Sequence, residues 1–499
     1  MAHKHVSLPS NRRAHKNDQR EHSLAQVHYS NRSSLVNPLT EAARYKPMHN
    51  QSSRIDKRLT RPIFALATPV AFSSQLDTLV GVADIYLVGD LGPYAIAAVG
   101  ISQILTMVIG VVMISVSTGA FALVAQGTGA NDERTVSATT KQALVLVAAI
   151  SSLLSLIGIA FSRTALEILS MPLGVIELGT GYLHVFFAGL PFMALNFTLN
   201  NCLYGAGDAR TPLYLNLFMS VLKIAFSYLL IFGIGPLPNL GVTGAALATV
   251  LSRAAGFTLS IALVKSNRLK LRFLPETSYI PERDRAERML RIGVPSAMQG
   301  LFRNGSGVVF VKLVALTIQP TVAVAAYSIG NQVERIVRRT SLSFGTAATT
   351  LVGQQLGAGD SDGAERCGWT SILIGSVSMA LFGAPLAFFA EDIMGLFTRD
   401  LDIIRAGTIY IWAILLAEPL QCIAITAGGG LRGAGDTKPA LYYTIIAQWL
   451  VRLPVGYTLA FGLGYDIEGL WVSLIAFSGL QGWLTLRKFA QGKWKDRSL

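Results

Sequence analysis

The chain has little that enzymatic chemistry normally uses. Six of its seven histidines fall before residue 56, which leaves His184 alone in the apolar part of the sequence. No nucleophile–base set is visible around it, so the chain is not expected to be an enzyme. Three cysteines, Cys202, Cys367 and Cys422, show no metal-ligand spacing, and an odd number argues against a full set of disulfides. No glycine-rich segment ends in Gly-Lys-Ser/Thr, which argues against ATP drive within the chain. No metal or cofactor is expected. Charge is scarce as well: charged residues make up 14% of the 499, against roughly a quarter in a soluble protein.

Apolar sequence fills the space. Hydrophobic residues make up 51% of the chain, and they recur in runs of about 20, the length that crosses a bilayer as a helix. The 47 glycines fit closely packed membrane helices. Twelve spans are expected: 60–86, 94–123, 140–161, 179–202, 212–234, 242–264, 289–316, 322–352, 366–389, 404–428, 439–462 and 467–486. The predicted fold is an all-α polytopic membrane protein.

The second half repeats the first at an interval of 228. Gly205-Ala206-Gly207-Asp208 returns as Gly433-Ala434-Gly435-Asp436. Gln126, Gly129, Ala130 and Asp132 return as Gln354, Gly357, Ala358 and Asp360, and Gly241 returns as Gly469. Pro69 and Pro295 are nearly in step, 226 apart. Such landmarks indicate a duplicated unit, the usual build of a secondary transporter with its site between the halves. Six spans per half is an even number, so both halves enter the membrane from one side as parallel repeats.

Lysine and arginine fix the orientation. One side carries 31 of them and the other only Arg163, Arg399 and Arg405, which places both termini in the cytoplasm of a multi-pass protein, in the cell (inner) membrane. The net charge of +13 reflects this bias and requires no nucleic-acid partner. The expected organisation is a disordered tail (1–55), an N-lobe (56–270), a cytoplasmic linker (271–288), a C-lobe (289–488) and a C-terminal tail (489–499). The first segment has no apolar core and is no secretory signal. A metal or lipid contact at His3-Lys4-His5, or an organellar transit role, is an alternative to a solvated tail.

Ionisable side chains at membrane depth cost at least about 2.5 kcal/mol each and need a partner or a purpose. The acids in the spans are Asp77, Asp84, Glu334 and Glu418; the bases are Lys223, Arg253, Arg303, Lys312, Arg335, Arg338, Arg339 and Arg452. Asp77 and Asp84 share one face of span one, roughly 10 Å apart along the axis. Pro69, about two turns earlier, should bend that helix and free carbonyls; Pro295 is its counterpart. Lys223 in span five, with Ser227 one turn on, faces span one and has Asp84 or Asp77 as its partner. A tethered ammonium there takes the place of a metal ion, which favours proton over sodium coupling. In the second half, Glu334 and Arg338 are i,i+4 partners, Arg335 and Arg339 form a neighbouring stripe, and Glu418 and Arg452 are expected to pair between helices. The excess of bases suits an anionic or zwitterionic substrate. The two Gly-Ala-Gly-Asp segments read as turns, or hinges, between helices.

In "VADIYLVGDLG" with Pro69 fifteen residues before Asp84, in "GAGDARTP" and "GVTGAALATVLSR", and in "TLVGQQLGAGD" and "LRGAGDTKPA", the chain resembles the multidrug and toxic compound extrusion (MATE) family from about residue 60 to 488. The resemblance implies two six-helix lobes around a central cleft and cation-coupled export by alternating access. Asp84 matches the family's coupling carboxylate; Asn196 and Asn200 resemble its polar positions on span four, and Thr249 one on span six. Lys223 and Ser227 stand where the family often has Asn and Asp, so the usual sodium-binding set is incomplete. The acids that some members carry in spans seven and ten are missing: Arg303 lies near the first, and Gln421, one turn from Glu418, replaces the second.

The expected function is an antiporter exporting drugs or other amphipathic small molecules, driven by a coupling ion (proton favoured over sodium) and working as a monomer in the bilayer. The alternatives are an exporter of organic anions and a lipid-linked saccharide flippase of the same superfamily.

Overall fold

The apolar runs fold as twelve helices of 23 to 38 residues in the computed structural model, which describes Met1 and residues 55–233, 238–266 and 268–496. The first six are α1 (Thr60–Gly89), α2 (Pro93–Gly129), α3 (Glu133–Ile168), α4 (Leu173–Gly205), α5 (Arg210–Phe232) and α6 (Gly241–Lys265). The second six are α7 (Arg283–Val314), α8 (Pro320–Gly357), α9 (Ser361–Phe388), α10 (Leu401–Gly433), α11 (Lys438–Gly462) and α12 (Asp466–Ala490). The chain divides into Met1–Gln51 and Ser52–Leu499, and the helices all lie in the second unit. The tail expected over 1–55 lies, apart from its two end residues, outside the described residues.

Helices run past the predicted spans because backbone hydrogen bonds continue through polar turns once the apolar core is anchored. Thus α2 extends to Gly129 and α3 starts at Glu133. Asn131, at a φ of 54°, turns the chain between them, and the Asp132 carboxylate accepts from the Thr135 N–H to cap α3. In the same way α7 begins at Arg283, within the stretch expected to be linker. Pro69 and Pro295 both lie inside unbroken helices. Among the described residues, nine helices are long and apolar enough to cross a membrane. Neither α7 nor α8 is one of them: Arg303 and Lys312 interrupt the first, and Glu334, Arg335, Arg338 and Arg339 the second.

Both described ends of the second unit lie on one face, here called the tail face. The Asp56 N–H donates to Thr370 Oγ1 at 3.0 Å, near the start of α9. Lys495, beyond α12, bonds Asp362 and Glu365 in the same first turns. Burial lowers the Lys495 pKa, but hydrogen bonds to Glu365 and Asp362 outweigh it and raise the value. The two Gly-Ala-Gly-Asp segments turn the chain on this face, with Gly207 and Gly435 at φ of 75° and 76°, a region that favours glycine.

Each lobe has its own apolar core. One packs α2, α3 and α4 around Val116, Phe187 and Leu199. The other packs Phe310, Tyr410 and Trp471 of α7, α10 and α12. In α11, a π-helical segment over Ile446–Arg452 interrupts the α-helix just before Pro454. Proline lacks an N–H and crowds the preceding turn, which accounts for the wider register there.

Candidate functional site

In the N-lobe the two acids at membrane depth, Asp77 and Asp84, have each found a base. Lys223 on α5 donates to Asp84 on α1, with both side chains about 15% exposed. Asp77, two turns earlier, pairs instead with Arg253 on α6 at 3.3 Å. Lys223 therefore takes the first of its two predicted partners. Asn196 on α4 holds the backbone at this point: its Nδ2 donates to the carbonyls of Phe192 (2.9 Å) and Arg253 (2.6 Å). Thr249 lies one turn before Arg253, where its hydroxyl bonds the Ala245 carbonyl. Ser227 is fully buried, and its hydroxyl has no hydrogen-bond partner among the described residues. Asn200 is half-buried.

The C-lobe is arranged differently. Glu334 pairs with Arg338 on its own helix, as the spacing predicted, and also accepts the Tyr410 hydroxyl at 2.5 Å. The expected Glu418–Arg452 pair does not form. Glu418, 4% exposed, accepts from Ser341 at 3.1 Å, whereas Arg452 bonds Gln448 at 3.2 Å in the π-helical segment. Arg452 lies over the rings of Phe310, 4.0 Å from the centroid, and Phe477. The widened turn directs the guanidinium into an aromatic cage, where cation–π attraction replaces a carboxylate. The half-buried Gln421 has no bond to its carbonyl oxygen among the described residues.

The lobes meet along α1 and α8. Gln75 Nε2 donates to the Ile336 carbonyl at 2.9 Å, and Arg339 Nη1 to the Ser74 carbonyl at 2.7 Å. Arg335, one turn before Arg339, is exposed. Nearer the tail face the lobes close on each other with two-fold symmetry. Gln126 Nε2 donates to the Gly433 carbonyl at 2.9 Å, and its repeat mate Gln354 donates to the Gly205 carbonyl at the same distance. Each acceptor ends a helix, where carbonyls lack intrahelical partners. A Cβ on Gly129 would lie 1.8 Å from the Gln354 oxygen, and one on Gly357 would lie 1.9 Å from the Gln126 oxygen. Thr350 Oγ1 adds a bond to the Tyr204 carbonyl at 2.9 Å. Among the described residues, no interlobe hydrogen bond lies beyond Gln75 and Ile336 toward the opposite face.

On the tail side of this contact is a recess of about 510 Å³, lined in part by Gln126, Asp132, Arg288, Gly357 and Lys495. Lys270, in the loop between the lobes, reaches toward the Gly207 carbonyl. Burial lowers its pKa, and Asp208 acts against that shift.

Sequence reasoning did not assign site roles to Gln75, Gln126, Gln354, Tyr410 or Arg432. Gln126 and Gln354 were visible as repeat landmarks, but nothing in a period says that two copies touch. Arg432, beyond the span expected over 404–428, lies in the last turn of α10. Electrostatically it lies within reach of Arg303.

The family model MatE matches residues 69–229 and again 295–458. The probable multidrug resistance protein NorM of Thermotoga maritima is 30% identical over 448 residues, covering 88% of this chain and 94% of the relative. An FAD transporter of Shewanella oneidensis is 26% identical over 417 residues, covering 82% and 90%. A solved MOP superfamily transporter from Pyrococcus furiosus, described as having a binding pocket of reverse polarity, superposes with a TM-score of 0.80 at 20% identity, covering 88% of this chain and 97% of that one. That last likeness shows the shared fold: twelve helices in two six-helix lobes. With one matched block in each lobe and a relative covered almost end to end, the chain belongs to the MATE family of multi-pass membrane transporters of small molecules.

Proposed function

We propose that this transporter is a cation-coupled antiporter, with protons favoured over sodium, that exports amphipathic small molecules across the cell membrane by alternating access. In this reading it works as a monomer and needs no cofactor beyond its coupling ion. The observation that carries the proposal is the Asp84–Lys223 pair. The acid on α1 faces a base on α5, so the counter-charge that a free cation would otherwise supply is part of the chain. Protonation of Asp84 removes the attraction that ties α5 to α1, so proton occupancy favours a different arrangement of the N-lobe. Substrate binding that favours the opposite arrangement is all that coupling requires. A lysine at this position competes with a free metal ion, which is why protons are favoured.

The closed tail face supplies the second part. In this reading the lysine and arginine bias sets that face toward the cytoplasm, and the conformer is then shut inward with its looser side outward. Opening inward then means breaking the Gln126 and Gln354 bonds. Substrates of unusual charge have support from two relatives, the FAD transporter and the transporter with a pocket of reverse polarity.

The test is transport in proteoliposomes under separate proton and sodium gradients. A proton gradient should drive the wild type and fail to drive Asp84→Asn. Drive by sodium alone at fixed pH, or intact gradient-driven transport by Asp84→Asn, overturns the assignment.

A further inference from the structure

The four membrane-depth acids are all occupied or hidden. Asp84 is held by Lys223, Asp77 by Arg253, and Glu334 by Arg338 and Tyr410. Glu418 is buried against Ser341. Among the described residues, none of these four membrane-depth carboxylates is both exposed and free of a partner. An organic cation has no counter-charge to meet there.

The bases are arranged the other way. Arg303, Arg335 and Arg339 have no carboxylate within 4.0 Å among the described residues. Arg303 is half-buried on α7, and the charges in its electrostatic reach are those of Arg338 and Arg432, both of its own sign. Arg339 reaches across the seam to the Ser74 carbonyl of the other lobe, a neutral acceptor. Arg335 stands one turn from it on the same face, exposed. Arg452 is held against aromatic faces rather than by an acid. Guanidiniums at membrane depth are costly, and their planar forks bind carboxylate, phosphate or sulfonate oxygens in pairs.

We propose that the exported molecule is an amphipathic organic anion whose carboxylate, phosphate or sulfonate group binds between the lobes against Arg303 and the α8 pair Arg335 and Arg339. The proposal names the substrate class of the export reading above and rests on it.

Two xanthene dyes of similar shape and opposite charge provide the test, fluorescein and rhodamine 123. Binding to the detergent-purified full chain is read by fluorescence polarisation, and exchange by counterflow in proteoliposomes without any ion gradient. Fluorescein should bind saturably and exchange, and rhodamine 123 should do neither. Arg303→Gln and Arg339→Gln should each weaken fluorescein binding by about tenfold or more, the value of one charged hydrogen bond. Arg303→Lys, which keeps the charge but not the paired fork, should bind fluorescein clearly more tightly than Arg303→Gln, which separates lost charge from lost fold. Binding of rhodamine 123 in preference to fluorescein overturns the proposal, as does wild-type fluorescein affinity in both glutamine variants. Exchange of neither dye overturns the export reading itself. Because counterflow needs no gradient, a failure of Asp84 coupling leaves these readouts unchanged.

Discussion

Replacing Gly129 with alanine tests whether the paired glutamines form the inner gate. The alanine Cβ would lie 1.8 Å from the Gln354 carbonyl oxygen, whereas non-bonded atoms settle at roughly 3.5 Å. The lobes must therefore separate there by about 1.5 Å or more. Gln126 and Gln354 bond across the contact at 2.9 Å each, and that retreat takes both past about 4 Å, beyond hydrogen-bonding range. At about 0.5–1.5 kcal/mol net per bond, the closed state loses about 1–3 kcal/mol, a factor of roughly 5 to 150 in the closed-to-open ratio. The helix itself is not weakened, since Gly129 has no positive φ and alanine is the better helix former. A reporter is available in Ala347→Cys, fully buried on α8 one turn before Thr350. The native Cys202, Cys367 and Cys422 are buried and give little background. Labelling by a membrane-impermeant maleimide from the tail side should accelerate by that factor in Gly129→Ala, and likewise in Gly357→Ala. An unchanged rate in both folded variants would refute the gate.

Three more outcomes are expected. Asp84→Asn leaves the half-buried Lys223 without its partner and should lower thermal stability by up to about 3 kcal/mol; adding Lys223→Met should restore most of that loss without restoring proton drive, as read by fluorescence melting and transport. Asp132→Ala should cost about 1 kcal/mol of stability at pH 7. Hydrogen bonds from the Thr135 side chain and backbone hold the Asp132 pKa below its ordinary value, so the cap is fully stabilising above about pH 4 and is lost as pH falls through the lower folded value; a melting difference that persists at strongly acid pH would contradict this. Arg452→Lys keeps the charge but loses the flat stack on Phe310 and Phe477, and should destabilise the protein by about 1–2 kcal/mol, with no loss if the cage is incidental.

Much of the fold was legible because a bilayer limits the choices: apolar runs become helices, basic loops stay on one side, and the repeat sets the number of lobes. The pairing of Glu334 with Arg338 was legible for a similar reason, since one helix fixes both side chains. Glu418 and Arg452 were not, because their relation depends on how α10 and α11 rotate against each other. The π-helical turn before Pro454 moves Arg452 onto rings that lie far off in sequence.

The sequence by itself determined the duplication, the parallel sense of its halves and the number of charges placed at membrane depth, since composition and period depend on order alone. Tertiary structure decided which charge meets which: Lys223 goes to Asp84 and Arg253 to Asp77, while Arg303, Arg335 and Arg339 are left without an acid among the described residues. It also decided that Gln126 and Gln354 close the tail face. Helical periodicity tells which residues share a face. It does not tell which neighbouring helix that face will meet, and that depends on packing across the whole bundle.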